Sequence, residues 1–394
     1  MVNLFTVTNA LKNFYITPLR EDINLKADPF ASRILHTSDN ITGYNEIVRA
    51  AQIGANGGAG AGTETGDLPT SGENIYIQLK STTKNLYGTL SISDKSMKSV
   101  TGNNAGAFVN ALQQDMDTLR KTLQWNTARQ IYGDGSGKLC TLSALSSAGK
   151  EIKVSDSTQF LLPGLKVDLH SSAGAVTNAG LRITDVDHVK KTVRVDQNVT
   201  CEANAYLTIQ GSAGLELTGL GKIFETISGT SQMLYGLNRS EYSWLRPYLN
   251  ASFGAIDEVK LQKVIDTLED TYNITINHIN CGNAAYGYYM ELMNKRRAIN
   301  DVMILEGGHK ALKFNGMPLT RNKFMPDAGI DLYDTSLFTV DQIADWEWIE
   351  GETRQILHQV PGKPVYTASL TKYCDMMCVL PGGIARLTGV SAAT

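Results

Sequence analysis

One feature constrains this chain more than any other. A glycine-rich tract, Gly54-Ala-Asn-Gly-Gly-Ala-Gly-Ala-Gly-Thr-Glu-Thr-Gly-Asp-Leu-Pro-Thr-Ser-Gly72, lies between two apolar stretches. Glycine at this density makes a flexible, low-complexity segment, with Gly57, Gly58, Gly60 and Gly62 at its centre. Ile47-Val48 through Ile53 precede it. Ile75-Tyr-Ile-Gln-Leu79 and Leu86-Tyr-Gly-Thr-Leu-Ser-Ile92 follow. Ile75, Ile77 and Leu79 alternate with polar residues, as in a half-exposed strand. The pattern predicts a long two-stranded excursion with a loose tip. Such a ribbon is marginal by itself in water, so its apolar side chains need a partner surface.

Upstream, Leu4, Val7, Leu11 and Phe14 recur at helical spacing, which predicts a short amphipathic helix over residues 3–16. Its polar face carries Asn and Thr instead of Lys and Arg, so it suits docking on protein better than on lipid. Pro18 and Pro29 are expected to keep the next segment extended. Residues 1–45 thus read as an arm lying on something else.

Downstream, Phe108, Leu112, Met116, Leu119 and Leu123 mark one face of a helix over 104–132. Asn103 or Asn104 caps its start and Gly133-Asp-Gly135 ends it. At 1.5 Å per residue it runs roughly 40 Å, so it must lie along a sheet or a domain as a spine. Between 139 and 212, short β-like runs separated by Gly and Ser turns predict a small barrel or sandwich inserted between helical segments. Residues 213–310 alternate between helix and strand: a helix through Leu261–Leu268, a strand Ile274–Ile279, a helix through Ala285–Leu292 and a strand Val302–Leu305. Asn315-Gly316 predicts a tight hairpin, and the remainder is strand-rich. The fold class is α+β.

The chain has 36 Lys+Arg against 39 Asp+Glu, a net charge of -3, which argues against a protein that grips phosphate backbones. No run of some 18 apolar residues exists, so no transmembrane helix is expected, and the N-terminus lacks the basic start of a secretory signal. Five scattered cysteines read as reduced thiols. The Gly58-Ala-Gly60 tract lacks the helix that a phosphate loop requires, and Gly133-Asp-Gly-Ser-Gly-Lys138 follows a helix instead of opening one. The six histidines form no i,i+4 pair; Cys374 and Cys378, read on a strand, stand too far apart for a disulfide and poorly for a metal. No Gly-x-Ser-x-Gly elbow is present. The acidic run Asp341, Asp345, Glu347, Glu350 and Glu352 reads as a solvated face, or as one side of a charged contact with a patch such as Lys295-Arg-Arg297 of a neighbour. No catalytic, cofactor or metal site emerges, and a non-enzymatic role is expected.

The order of these segments resembles the major capsid proteins of tailed bacteriophages, with their Hong Kong 97-type fold. The residues that carry the resemblance are the arm leading into Asn56-Gly-Gly-Ala-Gly-Ala-Gly-Thr-Glu-Thr-Gly-Asp-Leu-Pro69, then Leu79-Lys-Ser-Thr-Thr-Lys-Asn-Leu-Tyr-Gly-Thr-Leu-Ser-Ile-Ser93, which is similar to the descending strand of the family's extended loop. The helix ending in Gln130-Ile-Tyr-Gly-Asp-Gly-Ser-Gly137 is similar to the spine helix. Phe314-Asn-Gly-Met-Pro-Leu-Thr-Arg-Asn-Lys-Phe-Met-Pro326 and Gly329-Ile-Asp-Leu-Tyr-Asp334 are similar to the late strand-rich segment.

The resemblance implies an arm at 1–45 and an extended loop at 46–98. It implies a peripheral domain at 99–138, completed by strands at about 311–360. An all-β insertion domain would occupy 139–212, and an axial domain 213–310 with about 361–394. It implies a head-shell protein assembling into hexamers and pentamers around double-stranded DNA held only by non-specific proximity. A separate scaffolding protein, a portal and decoration proteins are its implied partners, the virion its location and the host bacterial cytoplasm its place of assembly. Leu4, Val7, Leu11, Phe14, Ile75, Ile77 and Leu79 are then candidate intersubunit contacts. Lys80 and Lys84 are candidates by position for the Lys–Asn cross-link that some relatives form. The alternative is a glycan- or receptor-binding virion protein using 139–212, but that segment has only Phe160 and Tyr206 as aromatic residues.

Overall fold

The alternation around the glycine tract is realised as an antiparallel ladder. The computed structural model describes residues 16–25, 28–54, 58–67, 70, 72–95, 105–228, 232–295, 302–304, 310–351 and 355–393. In it Glu46–Gln52 pairs with Tyr76–Thr82, from Glu46↔Thr82 to Gln52↔Tyr76, and Ile41–Thr42 adds a short third strand. The chain folds as two compact units, one of residues 1–128 with 223–394 and one of 129–222.

The first unit holds two larger sheets. In the central sheet, Phe338–Trp348 pairs antiparallel with Val365–Cys378, and Leu35–Thr37 runs parallel to the former. Lys84–Ser93 pairs with Val365–Cys374 along its whole length, and no other strand among the described residues pairs with it. The second sheet runs in the order Tyr248–Asn250, Ala385–Leu387, Ile330–Tyr333, His278–Cys281, Met317–Arg321, Lys310–Phe314, Val302–Ile304. Helix Glu258–Tyr272 packs against it through Leu261, Val264, Ile265 and Leu268, and helix Asn283–Lys295 through Ala285, Tyr289 and Leu292. Asn273, at φ 51°, ends the first of these helices with the left-handed turn that Asn tolerates. Asn315 and Gly316 take φ 48° and 81° between Lys310–Phe314 and Met317–Arg321, the mirror-image turn that matches strand twist.

These pairings redraw the expected partition. Strands between 310 and 333 belong to the sheet that contains His278–Cys281, not with the spine helix; Val365–Cys378 belongs to the central sheet, not with 213–310. Sheet membership is decided by non-local pairing, which alternation within a strand does not encode.

The spine helix runs over Ala105–Tyr132, 28 residues or about 42 Å. Met116 and Leu123 are buried and Leu119 half-buried, as the stripe predicts; the side chains of Phe108 and Leu112 lie outside the described residues. The helix crosses Lys84–Ser93 at Gly88, where an added Cβ would stand 2.7 Å from Leu123 Cδ1.

Residues 16–25 correct the expectation of an extended arm: they form a helix. Pro18 is its third residue, in the first turn, where a missing N–H breaks no intrahelical bond. Leu19 and Ile23 are buried, Arg120 binds Asp22 at 2.9 Å, and Gln124 Nε2 donates to Asp22 O. Phe30 follows, fully buried among Tyr333 and Phe338 with ring centroids 4.6 and 5.0 Å away. Asp28 accepts from the N–H groups of Phe30 and Ala31 and from Asn322. Residues 16–45 are therefore anchored on their own unit where described. Residues 3–15 of the predicted amphipathic helix lie outside the described residues.

The second unit is built on six antiparallel strands in the order Lys138–Thr141, Tyr206–Ile209, Lys166–His170, Val176–Asp187, Thr192–Cys201, Leu145–Lys153. A bridge between Leu142 and Val154 links the two ends of this path and curls the sheet around its core. That core includes Leu139, Ile152, Val167, Leu169, Leu181, Ile183, Val193, Val195 and Leu207. Arg129 and Glu216, both almost completely buried, form an ion pair within the same unit.

Candidate functional site

The ribbon's two faces follow from its register. Directly paired residues project to the same side, so Ile47, Arg49, Ala51, Ile77, Leu79 and Ser81 share one face, and Val48, Ala50, Gln52, Tyr76, Gln78 and Lys80 share the other. The first face is seated at its base on the central sheet. Arg49 Nη1 donates to Thr339 Oγ1 at 2.5 Å and Ser81 Oγ to Asp375 Oδ2 at 2.6 Å. The Lys80 N–H donates to Tyr235 O, and the Tyr235 hydroxyl in turn receives the Cys378 N–H at 3.1 Å. Burial pushes the Tyr235 hydroxyl well above its ordinary pKa, so it stays a neutral hydrogen-bonding group.

Exposure then rises along one strand. Leu79 is 0% exposed, Ile77 is half-buried, and Ile75 and Tyr76 are 59% and 57% exposed. Leu79 is therefore covered by its own chain, which corrects its assignment as an intersubunit contact. Alternation shows that a face is apolar but not whose atoms cover it. Ile75, expected at an intersubunit contact, is exposed in the single chain. The tip residues Gly58, Gly60 and Gly62 are described as turn and coil beyond it; Gly57, with Leu4, Val7, Leu11 and Phe14, lies outside the described residues.

Tyr87, on strand Lys84–Ser93, is 56% exposed and was not singled out from the sequence. It alternates with Leu86, Gly88, Leu90 and Ile92, all buried, so strict period-two reading places it on the outer face. Lys80 pairs with Glu46 at 3.6 Å, both well exposed, a contact worth little in water. Lys84 is half-buried, opposite Cys374 in register.

The acidic run divides. Glu347 and Glu350 are exposed, but Asp341 is fully buried, accepting from Asn40 Nδ2 and Thr339 Oγ1. Asp345 is three-quarters buried beside Lys372. The solvated-face reading fails for these two, because Asn40 and Lys372, which partner them, lie far away in sequence. In the second unit, Phe160 packs against the core and Tyr206 stacks on His170 beneath the Lys138 amine, so neither offers a bare aromatic face. Among the described residues no group of three or more His, Cys, Asp or Glu side chains is placed to hold a metal, and no helix is long and apolar enough to cross a membrane.

No family model matches the sequence, and no curated protein is significantly similar to it. Solved structures do match. The chain is similar to one from the cyanophage A-1(L) capsid asymmetric unit, at 8% identity and a TM-score of 0.54, covering 93% of this chain and 94% of that one. It also aligns with the capsid of a native GTA particle, at 10% identity and a TM-score of 0.47 over 93% and 91% of the two chains. With a Mycobacterium phage Bobi structure the values are 8% identity and a TM-score of 0.41 over 100% of both. With its projecting ribbon, its spine helix and its paired mixed sheets, the chain has the Hong Kong 97-like capsid fold.

Proposed function

We propose that this protein is the major head-shell subunit of a tailed bacteriophage, self-assembling into hexamers and pentamers around the double-stranded DNA genome. The observation that carries this reading is the likeness of fold to a capsid chain over nearly the whole length of both. The ribbon supports it. Its base is seated on its own chain while Ile75, Tyr76 and the glycine-rich tip project beyond, apolar surface that a sister molecule would cover. Such reaching contacts make each subunit multivalent, so individually weak contacts add up to a closed shell. A net charge of -3 suits a wall that encloses DNA without binding it tightly. A separate scaffolding protein, a portal and decoration proteins are the partners this role calls for, with assembly in the host cytoplasm and the virion as destination. The role is structural and not catalytic.

Sedimentation velocity of the purified chain, alone and with its scaffold, tests the proposal. Discrete capsomer- and shell-sized species are expected; a monomer under every assembly condition would refute it.

A further inference from the structure

Strands Phe338–Trp348 and Val365–Cys378 keep regular register from Phe338↔Cys378 to Gln342↔Cys374, then slip at Ala344↔Tyr373 and again at Glu347↔Thr371. Asp345 and Trp346 thus stand opposite the single residue Lys372. This is a bulge, the device by which a strand re-aims a side chain out of its alternating pattern. Helix Ile16–Leu25 lies against it. Arg20 Nε donates to Trp346 O at 2.6 Å. One turn later Asn24 Nδ2 donates to both oxygens of Asp345, at 3.1 and 3.0 Å. Lys372, whose side chain is 3% exposed, donates from Nζ to Asn24 Oδ1 at 3.1 Å and to Asp345 Oδ1 at 3.0 Å. His36 Nδ1 stands 3.5 Å from the same amine.

An ion pair needs only the lysine and the carboxylate. Here a single carboxylate touches both the nitrogen of a buried amine and the nitrogen of a primary amide, while the amide oxygen faces the amine. The amide's orientation is fixed by its partners, since a carboxylate only accepts and an ammonium only donates. The Asn24 carbonyl carbon lies one C=O bond, about 1.2 Å, from an oxygen already in contact with the amine, so Nζ is at most about 4.3 Å from it, close to attack distance.

We propose that Lys372 and Asn24 join in an intrachain isopeptide bond, with Asp345 as the proton carrier. Asp345 takes a proton from the Lys372 ammonium, and the freed amine attacks Asn24 Cγ. The Nζ–Cγ bond forms and the Cγ–Nδ2 bond breaks. Asp345 delivers the proton to Nδ2, which leaves as ammonia and departs as ammonium with the second proton shed by Nζ. The products are a secondary amide and one ammonium ion, and no oxidant or other reactant is needed. Although burial raises its pKa, Lys372, Asn24 and the Trp346 N–H together hold Asp345 below the usual carboxylate range, so it begins as the base. The burial that surrounds Lys372 also keeps water from competing as nucleophile. The bond would tie helix Ile16–Leu25 permanently to the central sheet. It stands independently of the shell reading, because its readout is a mass and not an assembly.

The test is intact mass spectrometry of the purified full chain, followed by tryptic mapping. The folded protein is expected to be lighter than its sequence by one ammonia, with residues 21–26 joined to residues 355–386 and no cleavage after Lys372. Asn24→Ala and Asp345→Asn are expected to keep the full mass. An unmodified wild-type mass with Lys372 cleaved normally overturns the proposal. Loss of ammonia that persists in Asp345→Asn overturns the role given to that carboxylate. If a variant fails to fold, the wild-type peptide map decides alone.

Discussion

Replacing Gly88 with alanine probes the contact between spine helix and sheet directly. The new Cβ would meet Leu123 at 2.7 Å from Cδ1, 3.0 Å from Cδ2 and 3.2 Å from Cγ. All three are side-chain atoms, so the helix has to shift or Leu123 has to leave its rotamer, an overpacking cost of about 1–3 kcal/mol. Leu123→Ala alone leaves a cavity, since that side chain is 5% exposed, and costs about 2–5 kcal/mol. In the double variant the added methyl enters the space the leucine vacates. The overpacking term then vanishes, and the pair couples by about 1–3 kcal/mol, so the double variant is no less stable than Leu123→Ala. Denaturant unfolding of the four full-length chains, followed by far-UV circular dichroism, measures the cycle. Additivity within about 0.5 kcal/mol would show that helix and strand do not meet at this point, and the account of the spine would fail.

Four further outcomes follow from the same structure. Burial and the nearby Lys372 lower the His36 pKa to about 4, while burial and Arg33 lower that of His278 to about 3. Unfolded histidine titrates near about 6.5, so below that pH the unfolded chain binds more protons. Stability present above pH 6.5 is lost as pH falls toward the folded values, by at most about 1.4 kcal/mol per pH unit per histidine, and His36→Gln should flatten the slope measured by unfolding between pH 6.5 and 4. Burial raises all five thiols, Cys374 and Cys378 up to about 12, but Cys201 alone is half-buried and the other four are buried, so a thiol reagent should label only Cys201 in the folded chain and all five cysteines after denaturation. Gly316→Ala should cost about 1–2 kcal/mol in unfolding free energy, since φ 81° forces its Cβ against the backbone. Leu79→Asp should unfold the monomer by burying an unpaired charge, whereas Ile75→Asp should leave its circular dichroism and unfolding midpoint unchanged and impair assembly alone.

What the sequence made legible was local. The stripe through Met116 and Leu123 specified the spine helix, the Asn315-Gly316 pair specified its hairpin, and alternation at Ile75, Ile77 and Leu79 specified a strand of the ribbon. Each signal rests on spacing within a dozen or so residues, where backbone period and side-chain direction are tied together. Helix Ile16–Leu25 was hidden by a proline whose effect depends on its position in the first turn. The strand expected at Ile274–Ile279 begins only at His278, because the preceding residues make no ladder. The fate of Leu79, Asp341 and Asp345 was illegible for a different reason. Each is decided by partners far along the chain, and an aspartate on a strand looks the same whether Lys372 or water awaits it.

The most direct measurement of the central claim is electron cryomicroscopy of the purified chain under assembly conditions, with and without its scaffold. The account predicts closed icosahedral shells in which Ile75 and Tyr76 are covered by a neighbouring subunit. Particles, oligomers or monomers in which both residues remain in solvent would contradict it.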